Sequence, residues 1–258
     1  MKNIIVISGT LDSRTIINEL LKLNTSVTAT VTTDYGADIL KEYKKLEIVK
    51  GKMGLEEMEC LIENTDATSV VDASHPYAKK VSTNAIKVCQ KLGVPYVRYE
   101  RESLKFKYDK IIYVDDYKEA SIKGDKIQGN ILLTVGSNNI EVFVNNTENF
   151  KDRLFARVLP DSSVISKCEV LELTAQNIFA VKGPFSLEMN MEMIKHCNAK
   201  VVVTKDSGEV GGTLEKVKAA QKLEIPVIMI KRPEIEYINK VSEVFEVVDF
   251  IKNLSELV

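Results

Sequence analysis

The sequence predicts an α/β protein made of two doubly wound, Rossmann-like parallel-sheet domains that face each other across a cleft. Short β-branched runs alternate with amphipathic stretches of helical length, which is typical of βαβ units. The first predicted strand is apolar at every position from Ile4 to Ile7, as expected for a strand covered by helices on both faces. The chain has 258 residues, enough for two such domains.

The first half of the chain alternates strands and helices up to residue 99. Strands are predicted at Asn3–Ser8, Ser26–Thr32, Glu47–Val49, Ser69–Asp72 and Tyr96–Tyr99. Helices are predicted at Asp12–Leu23, Tyr35–Lys44, Leu55–Glu63 and Pro76–Leu92. Pro76 suits the first turn of its helix, and Gly93 suits the residue that ends it.

Residues 101–129 are rich in Lys, Asp and Tyr and contain one short apolar run, Ile111–Val114. This composition predicts the end of the first domain and a linker, so the domains are predicted at 1–126 and 127–258. In the second half, strands are predicted at Asn130–Val135, Leu154–Val158, Ile178–Val181, Lys200–Thr204 and Val227–Ile230. Helices are predicted there at Ser162–Leu171, Ser186–Lys195, Gly212–Leu223 and Val247–Leu254.

Composition narrows the possible partners and compartments. A net charge of -2 and a pI near 5.9 argue against a nucleic-acid or anionic-membrane surface. The early apolar run is too short for a signal-peptide core, and no run approaches the ~20 residues of a membrane span. We therefore expect a cytoplasmic protein with no nucleic-acid or membrane partner. Four cysteines without a CxxC pair and only two histidines predict reduced thiols and no metal site.

Small and polar clusters follow the predicted strands, where open parallel sheets bind their ligands. Gly9-Thr10-Leu11-Asp12-Ser13-Arg14 fits a phosphate at a helix N-terminus, or an ordinary turn with Asp12 as N-cap. In the segment Asp72–Ala78, His75 either donates to a ligand or caps the turn. The mixed-sign cluster of Arg98, Glu100, Arg101 and Glu102 predicts a solvated edge.

The second half repeats this theme. Arg157 stands at a strand end, and Ser186 opens a helix after a Gly-Pro turn. Thr204-Lys205-Asp206-Ser207-Gly208, followed by Gly211, Gly212 and Lys216, predicts an anion cradle or a capped surface turn. No Ser–His–acid relay is evident, so these residues alone predict an α/β ligand-binding protein or cofactor enzyme.

In this order, the clusters resemble the precorrin-6A reductase family of cobalamin biosynthesis, which includes the cobalt-precorrin-6A reductases. The resemblance covers nearly the whole chain. It rests on Gly9–Arg14, Asp72–Ala78, Ala156–Pro160, Gly183–Ser186, Thr204–Gly208 and Arg232-Pro233. It implies an oxidoreductase that transfers a hydride from NADPH, or from NADH, to a tetrapyrrole, either precorrin-6A or its cobalt form.

The resemblance also implies roles for individual residues. The residues expected to bind the cofactor are Gly9, Thr10, Asp12, Ser13, Arg14 and Asp34. His75 and Tyr77 are the expected catalytic residues and line the cleft beside the reacting ring. The residues expected to bind the substrate, by holding anionic groups of the substrate or of the cofactor, are Arg157, Ser186, Lys205, Ser207 and Gly208. Ser8 and Glu209 depart from the glycines common in the family and add bulk near the expected phosphate path. Asp34, after the second strand, favours some tolerance of NADH.

Two rival functions remain open on sequence grounds. The first is a two-domain tetrapyrrole enzyme without redox chemistry, similar to a uroporphyrinogen synthase, which would bind no nicotinamide nucleotide. The second is a cytosolic two-lobe small-molecule binding protein, which would bind ligands without turnover.

Overall fold

The computed structural model describes residues 2–208 and 211–254, and the chain forms two compact units. Unit 1 comprises Met1–Glu102 and Pro233–Val258, and unit 2 comprises Ser103–Arg232. Each unit contains one six-stranded parallel sheet. The predicted class, α/β with two parallel-sheet domains, is confirmed.

The strands run in chain order as follows: β1 Lys2–Ile7, β2 Thr25–Val31, β3 Leu46–Lys50, β4 Ser69–Asp72, β5 Tyr96–Tyr99, β6 Ile111–Val114, β7 Asn130–Leu133, β8 Leu154–Val158, β9 Ile178–Ala180, β10 Ala199–Lys205, β11 Val227–Ile230 and β12 Lys240–Val241. The helices are α1 Leu11–Leu21, α2 Asp34–Leu40, α3 Leu55–Asn64, α4 Lys79–Leu92, α5 Tyr117–Asp125, α6 Ile140–Asn146, α7 Phe150–Arg153, α8 Ser162–Val170, α9 Leu187–His196, α10 Thr213–Lys222 and α11 Val244–Asn253.

The sheet of unit 1 has the strand order β12-β5-β4-β1-β2-β3. Alternate residues of β1 explain why this strand is apolar throughout. Ile4 and Val6 pack in the core formed with α1 and α11, whereas Ile5 and Ile7 pack in the core formed with α3 and α4. The strand order reverses between β1 and β4, so the loops that follow these two strands meet at the switch point where such sheets bind ligands.

Unit 2 has the strand order β6-β11-β10-β7-β8-β9. Its switch point therefore lies between β7 and β10, and Thr134 donates both its backbone N–H and its hydroxyl to the Val203 carbonyl there, at 2.8 and 3.0 Å. One face of the sheet packs on α9 and α10 through Met193, Val217 and other apolar side chains. The Gly-rich segment after β10 leads directly into α10 at this switch point.

The predicted boundary between residues 126 and 127 differs from this division. β6 and α5, which lie before that boundary, belong to unit 2, because β6 pairs with β11. β12 and α11, near the end of the chain, belong to unit 1, because β12 pairs with β5 and α11 covers the core beside α1. The predicted linker therefore contains a strand and a helix of unit 2.

Helix boundaries also differ from the prediction at functionally relevant places. α4 begins at Lys79 rather than at Pro76, because the Ala78 N–H donates to the His75 carbonyl at 2.7 Å and closes a turn ahead of the helix. α6 and α7 were not predicted. Within the described residues, no helix is long and apolar enough to cross a membrane.

Candidate active site

The loop after β1 is organised around the hydroxyl of Ser13, which is fully buried. Thr10, and not Asp12, is the N-cap of α1, and its hydroxyl accepts from the Ser13 N–H at 3.0 Å. The Ser13 hydroxyl accepts from the N–H groups of Gly9 and Thr10 at 3.3 and 3.2 Å and donates to the Thr10 carbonyl at 2.8 Å. Ser8 adds a 2.7 Å hydroxyl contact. The buried Ser13 hydroxyl therefore fixes the backbone of this loop through its hydrogen bonds to Gly9 and Thr10.

The other residues predicted to bind the cofactor are distributed around this loop. Gly9 is exposed with φ +125°, and open space lies where a β-carbon would point. Asp12 forms an ion pair with Arg101, and burial raises the pKa of its carboxyl although Arg101 opposes the shift. Arg14 is half-buried, and no ion pair is found for it in residues 2–208 and 211–254.

Asp34 lies apart from that loop, at the start of α2. Its side chain is exposed and bonds to Lys50 at 2.5 Å, and this hydrogen bond lowers the pKa of Asp34.

The loop after β4 lies beside the loop after β1. The Thr10 hydroxyl, besides capping α1, donates to the Ala73 carbonyl at 3.0 Å and joins the two loops. His75 is half-buried, and its Nδ1 accepts from the Tyr77 N–H at 3.2 Å. The two rings lie 5.6 Å apart between centroids. The predicted pair of His75 and Tyr77 is therefore brought together next to the switch point of unit 1.

A buried charge network lies under the His75 loop. Arg98 donates to Asp72 Oδ1 at 2.9 Å and to Glu100 Oε2 at 3.0 Å, and Lys240 reaches Glu100 Oε1 at 2.8 Å. Arg98 and Asp72 are fully buried, so the prediction of a solvated edge is wrong for Arg98 and Glu100. Burial alone would raise the pKa of Glu100, but Lys240 and Arg98 hold it below its ordinary value. Charges adjacent in sequence gave no sign of this burial, because the partner Asp72 lies on a different strand.

In unit 2, the side chain of Arg157 lies in a cavity of about 260 Å³ whose lining includes Phe185, Asn190, Gly211 and Gly212. Its Nη1 donates to Asn190 Oδ1 at 2.8 Å, and the guanidinium lies 4.6 Å from the centre of the Phe185 ring. Burial lowers the pKa of Arg157 to about 10. The same Nη1 lies 3.8 Å from the Met193 sulfur, so the contacts found for this cation in the described residues are an amide, a thioether and a ring.

Lys216, on α10, is the most unusual cation of unit 2. It is only 5% exposed, and among residues 2–208 and 211–254 no hydrogen bond or ion pair reaches its ammonium group. Burial lowers its pKa to about 7, and the nearby charges of Arg157 and Lys205 lower it further, against the opposing effect of Glu215. Burial also lowers the pKa of Lys205. Lys216 is therefore buried within reach of the charges of two partly buried cations, Arg157 and Lys205.

The remaining substrate-binding predictions fall on helix starts and turns. The Ser207 hydroxyl contacts the Thr213 hydroxyl at 3.0 Å, and the Ser207 N–H donates to the same atom at 3.2 Å. Gly208 has φ +73°, which favours glycine. Ser186 is the exposed N-cap of α9 and accepts from the Met189 N–H at 3.2 Å. Glu209, one of the two departures noted in the sequence, lies outside the described residues.

Comparison with known proteins identifies the kind of enzyme. The family described as precorrin-6x reductase CbiJ/CobK matches residues 3–252 of this chain. The chain belongs to the precorrin-6x reductase family. This membership confirms the predicted reductase of cobalamin biosynthesis and sets aside the non-redox enzyme and the binding protein without catalysis.

Similar proteins span the length of the chain. The cobalt-precorrin-6A reductase of Priestia megaterium is 39% identical over 251 residues, which cover 97% of this chain and 98% of that protein. The enzyme of the same name from Methanocaldococcus jannaschii is 37% identical over 98% of this chain and 99% of its own length. The solved structure of CobK precorrin-6A reductase is 21% identical and superposes with a TM-score of 0.81 over 98% of this chain and 97% of that one, which supports the shared fold.

Sequence reasoning missed residues whose role depends on burial. Thr213 organises the loop after β10, Asn190 holds Arg157, and Arg98 bonds the loop that carries His75. Their residue types are common on protein surfaces, and only the fold reveals their partners. Lys216 was predicted as part of the anion cradle, but nothing in the sequence indicated that it is buried.

Proposed function

We propose that this chain reduces cobalt-precorrin-6A, or the metal-free precorrin-6A, with a nicotinamide nucleotide as hydride donor. The observation that carries the proposal beyond family membership is the cluster of Arg157, Lys205 and Lys216. Lys216 is buried, and within the described residues no carboxylate bonds to its ammonium group, so a positive charge there favours an anionic ligand. Precorrin-type macrocycles carry acetate and propionate side chains, which match it.

We assign the substrate carboxylates to unit 2. Arg157 is already oriented by Asn190 and Phe185, so little ordering remains when a carboxylate arrives. Lys216, buried on α10, supplies a second positive charge when it is protonated, and the partly buried Lys205 supplies a third. Ser207, Gly208 and Ser186 support this assignment as the residues that shape the adjoining turns.

We assign the nucleotide to the loops at the switch point of unit 1. The N–H groups of Gly9 and Thr10 already donate to Ser13, so they are not the expected phosphate ligands. The assignment of the nucleotide to this loop rests instead on the open space beside Gly9 and on the positive charge of Arg14. Ser13 and Thr10 then act by holding the loop, and Asp12 by anchoring Arg101. The bound nicotinamide supplies the hydride; the protein orients two large partners and excludes water.

The nucleotide preference turns on Asp34 and Lys50. Asp34 repels an extra ribose phosphate, whereas Lys50, in contact with it, attracts one. Water screens exposed ion pairs and makes them weak, so the pair can open to accept a phosphate. We propose NADPH as the donor, with NADH tolerated. Since reduced nicotinamide nucleotides are held in the cytoplasm, we expect the reaction there.

We propose that His75 contacts the macrocycle as a neutral imidazole. Its Nδ1 accepts a hydrogen bond, so in the neutral ring the proton resides on Nε2, which then serves as a donor. A neutral imidazole is a poor acid, which favours orientation of the ring over proton delivery. Tyr77 packs near the imidazole and completes this surface.

The test is a pair of titrations with matched controls. NADPH and NADH are titrated separately and followed by cofactor fluorescence, and turnover of the cobalt macrocycle is followed by absorbance. Arg14→Gln should weaken nucleotide binding by roughly tenfold or more, the loss of a charge-assisted contact, whereas Lys22→Gln at the far end of α1 should not.

The same assay tests the substrate assignment. Lys205→Ala should raise the KM for the macrocycle by roughly tenfold or more. Lys200→Ala is the control, because this exposed lysine lies on the same strand. Absence of binding by either nucleotide would contradict the proposed donor, and an unchanged KM in Lys205→Ala would contradict the substrate site.

A further inference from the structure

The buried network of unit 1 lies in one row across the sheet. Ile7 of β1 is paired with Asp72 of β4, Asp72 with Arg98 of β5, and Arg98 with Lys240 of β12. The row stands at the carboxyl ends of β1 and β4, where the two switch-point loops begin. Asp72 therefore directly precedes the loop that carries His75, and Arg98 and Lys240 lie beside it on the neighbouring strands.

Stability is a weak explanation for this arrangement. A buried ion pair pays a desolvation penalty that its attraction barely offsets, and apolar residues of similar size often serve a core equally well. The Arg98 Nε finds no hydrogen-bond partner within the described part of the chain, although it is buried. The fold therefore keeps at this position a buried cation whose desolvation is costly.

What Arg98 achieves is control over the start of the His75 loop. Its Nη1 donates to the Ser74 hydroxyl at 3.1 Å and to Asp72 Oδ1 at 2.9 Å. Asp72 Oδ1 in turn accepts from the Ser74 N–H at 3.0 Å, and Asp72 Oδ2 accepts from the Tyr96 hydroxyl at 2.8 Å. Both the backbone and the side chain of Ser74 are thereby fixed, one residue before His75.

The network is completed by residues that come last in the chain. Lys240 bonds to Glu100, and the guanidinium of Arg98 lies 5.5 Å from the centre of the Tyr237 ring. Burial raises the pKa of Tyr237 to about 12, so this ring stays neutral. The returning segment after residue 232 therefore covers Arg98.

We propose that Arg98 is a positioning residue for the reduction: through Asp72 and Ser74 it fixes the loop at residues 73–78 and holds the imidazole of His75 in one orientation and tautomer. This rests on the proposed contact of His75 with the macrocycle. Lysine at this position keeps the charge but loses the fork that reaches Asp72, Ser74 and Glu100 together.

The experiment reads the imidazole directly. The sequence has two histidines, His75 and His196, so their ring ¹⁵N signals are assigned with a single His196→Gln variant. In the full chain we expect His75 to show the Nε2–H tautomer. In Arg98→Lys, the His75 signals should move toward the average of exchanging tautomers, with His196, on α9 of unit 2, unchanged. The kcat should fall roughly tenfold or more, with less than about a threefold change in the Kd of NADPH.

Arg153→Lys is the matched control for lost stability. Arg153 bonds to Asp125 and to the carbonyls of Gly129 and Ile127 in unit 2, so its loss costs comparable hydrogen bonds away from the site. It should lower the melting temperature without changing kcat. Ser74→Ala removes one hydroxyl and keeps the charge network, so it tests the same link if Arg98→Lys does not fold.

The outcomes separate the two proposals. Unchanged His75 signals in both Arg98→Lys and Ser74→Ala would overturn the positioning role. Full activity in His75→Ala would instead contradict the proposed contact of His75 with the macrocycle, and the ring signals would still report whether Arg98 fixes the loop. A kcat loss in Arg153→Lys equal to that in Arg98→Lys would assign both effects to stability alone.

Discussion

Lys216 is a buried ammonium group whose nearest cationic neighbours, Arg157 and Lys205, oppose its charge. Its pKa is lowered to about 7 from an ordinary value of 10.5. Between these two values the unfolded chain binds the extra proton and the folded chain does not, so this group makes the protein more stable as pH rises through that window. Below pH 7 the full penalty of the buried charge applies.

Lys216→Met should therefore stabilise the ligand-free protein most at pH 6, and the gain should shrink as pH approaches 10. The measurement is the free energy of unfolding in urea at pH 6, 8 and 10. Lys218→Met is the control, because Lys218 is exposed on the same helix. A gain that is independent of pH would contradict the buried charge. The substitution should also weaken binding of the carboxylate-bearing macrocycle, at some cost to activity.

At the scale of elements, the loop between β1 and α1 contains residues with two different roles: Ser13 holds the loop in shape, and Gly9 and Arg14 are proposed to bind the nucleotide. Ser13→Ala leaves the partly buried N–H groups of Gly9 and Thr10 without this acceptor. We expect a loss of about 1–2 kcal/mol in the free energy of unfolding, as for the loss of other hydroxyl groups that cap a helix start. The Kd of NADPH should change less than about threefold, since no ligand needs to touch this hydroxyl. A large rise in Kd at unchanged stability would show direct contact instead.

Strands that are buried on both faces could be predicted from the sequence. Short elements that form only by packing on residues far away in the sequence could not. β1, β4 and β10 lie close to their predicted positions because each apolar run needs helices on both sides. β12 has two residues and forms only because β5 offers an edge, so no periodic signal marks it. α6 has seven residues and α7 has four, so neither is long enough to show a helical repeat of apolar residues in the sequence.

The candidate site follows the same rule. The positions of Gly9, His75 and Lys205 at or just after strand ends could be predicted, because continuous apolar runs mark the strands; their roles in binding stay proposals. Arg98 and Glu100 were misassigned, because alternating charges on a short strand look solvated until Asp72 and Lys240 are placed beside them.

At the scale of the whole molecule, each sheet obtains its sixth strand from an unexpected part of the sequence. In unit 1 the core order β3-β2-β1-β4-β5 is extended by β12, which follows all of unit 2 in the chain. In unit 2 the order β9-β8-β7-β10-β11 is extended by β6, which precedes the other strands of that unit. Unit 2 is thus continuous in sequence, and unit 1 is interrupted.

This arrangement predicts which fragments fold. A fragment of residues 103–232 holds every strand and helix of unit 2, so it should melt cooperatively by circular dichroism and give a dispersed amide spectrum. A fragment of residues 127–258, cut at the boundary that composition suggests, lacks β6 and leaves β11 with an open edge, while its β12 and α11 have nothing to pack against. A fragment of residues 1–126 lacks Val247 and Ile251, which fill the core beside α1. We expect neither of these two to melt cooperatively. Cooperative melting of 127–258 without that of 103–232 would contradict the assignment of β6 to unit 2, because a fragment should fold only if it contains every strand of its sheet.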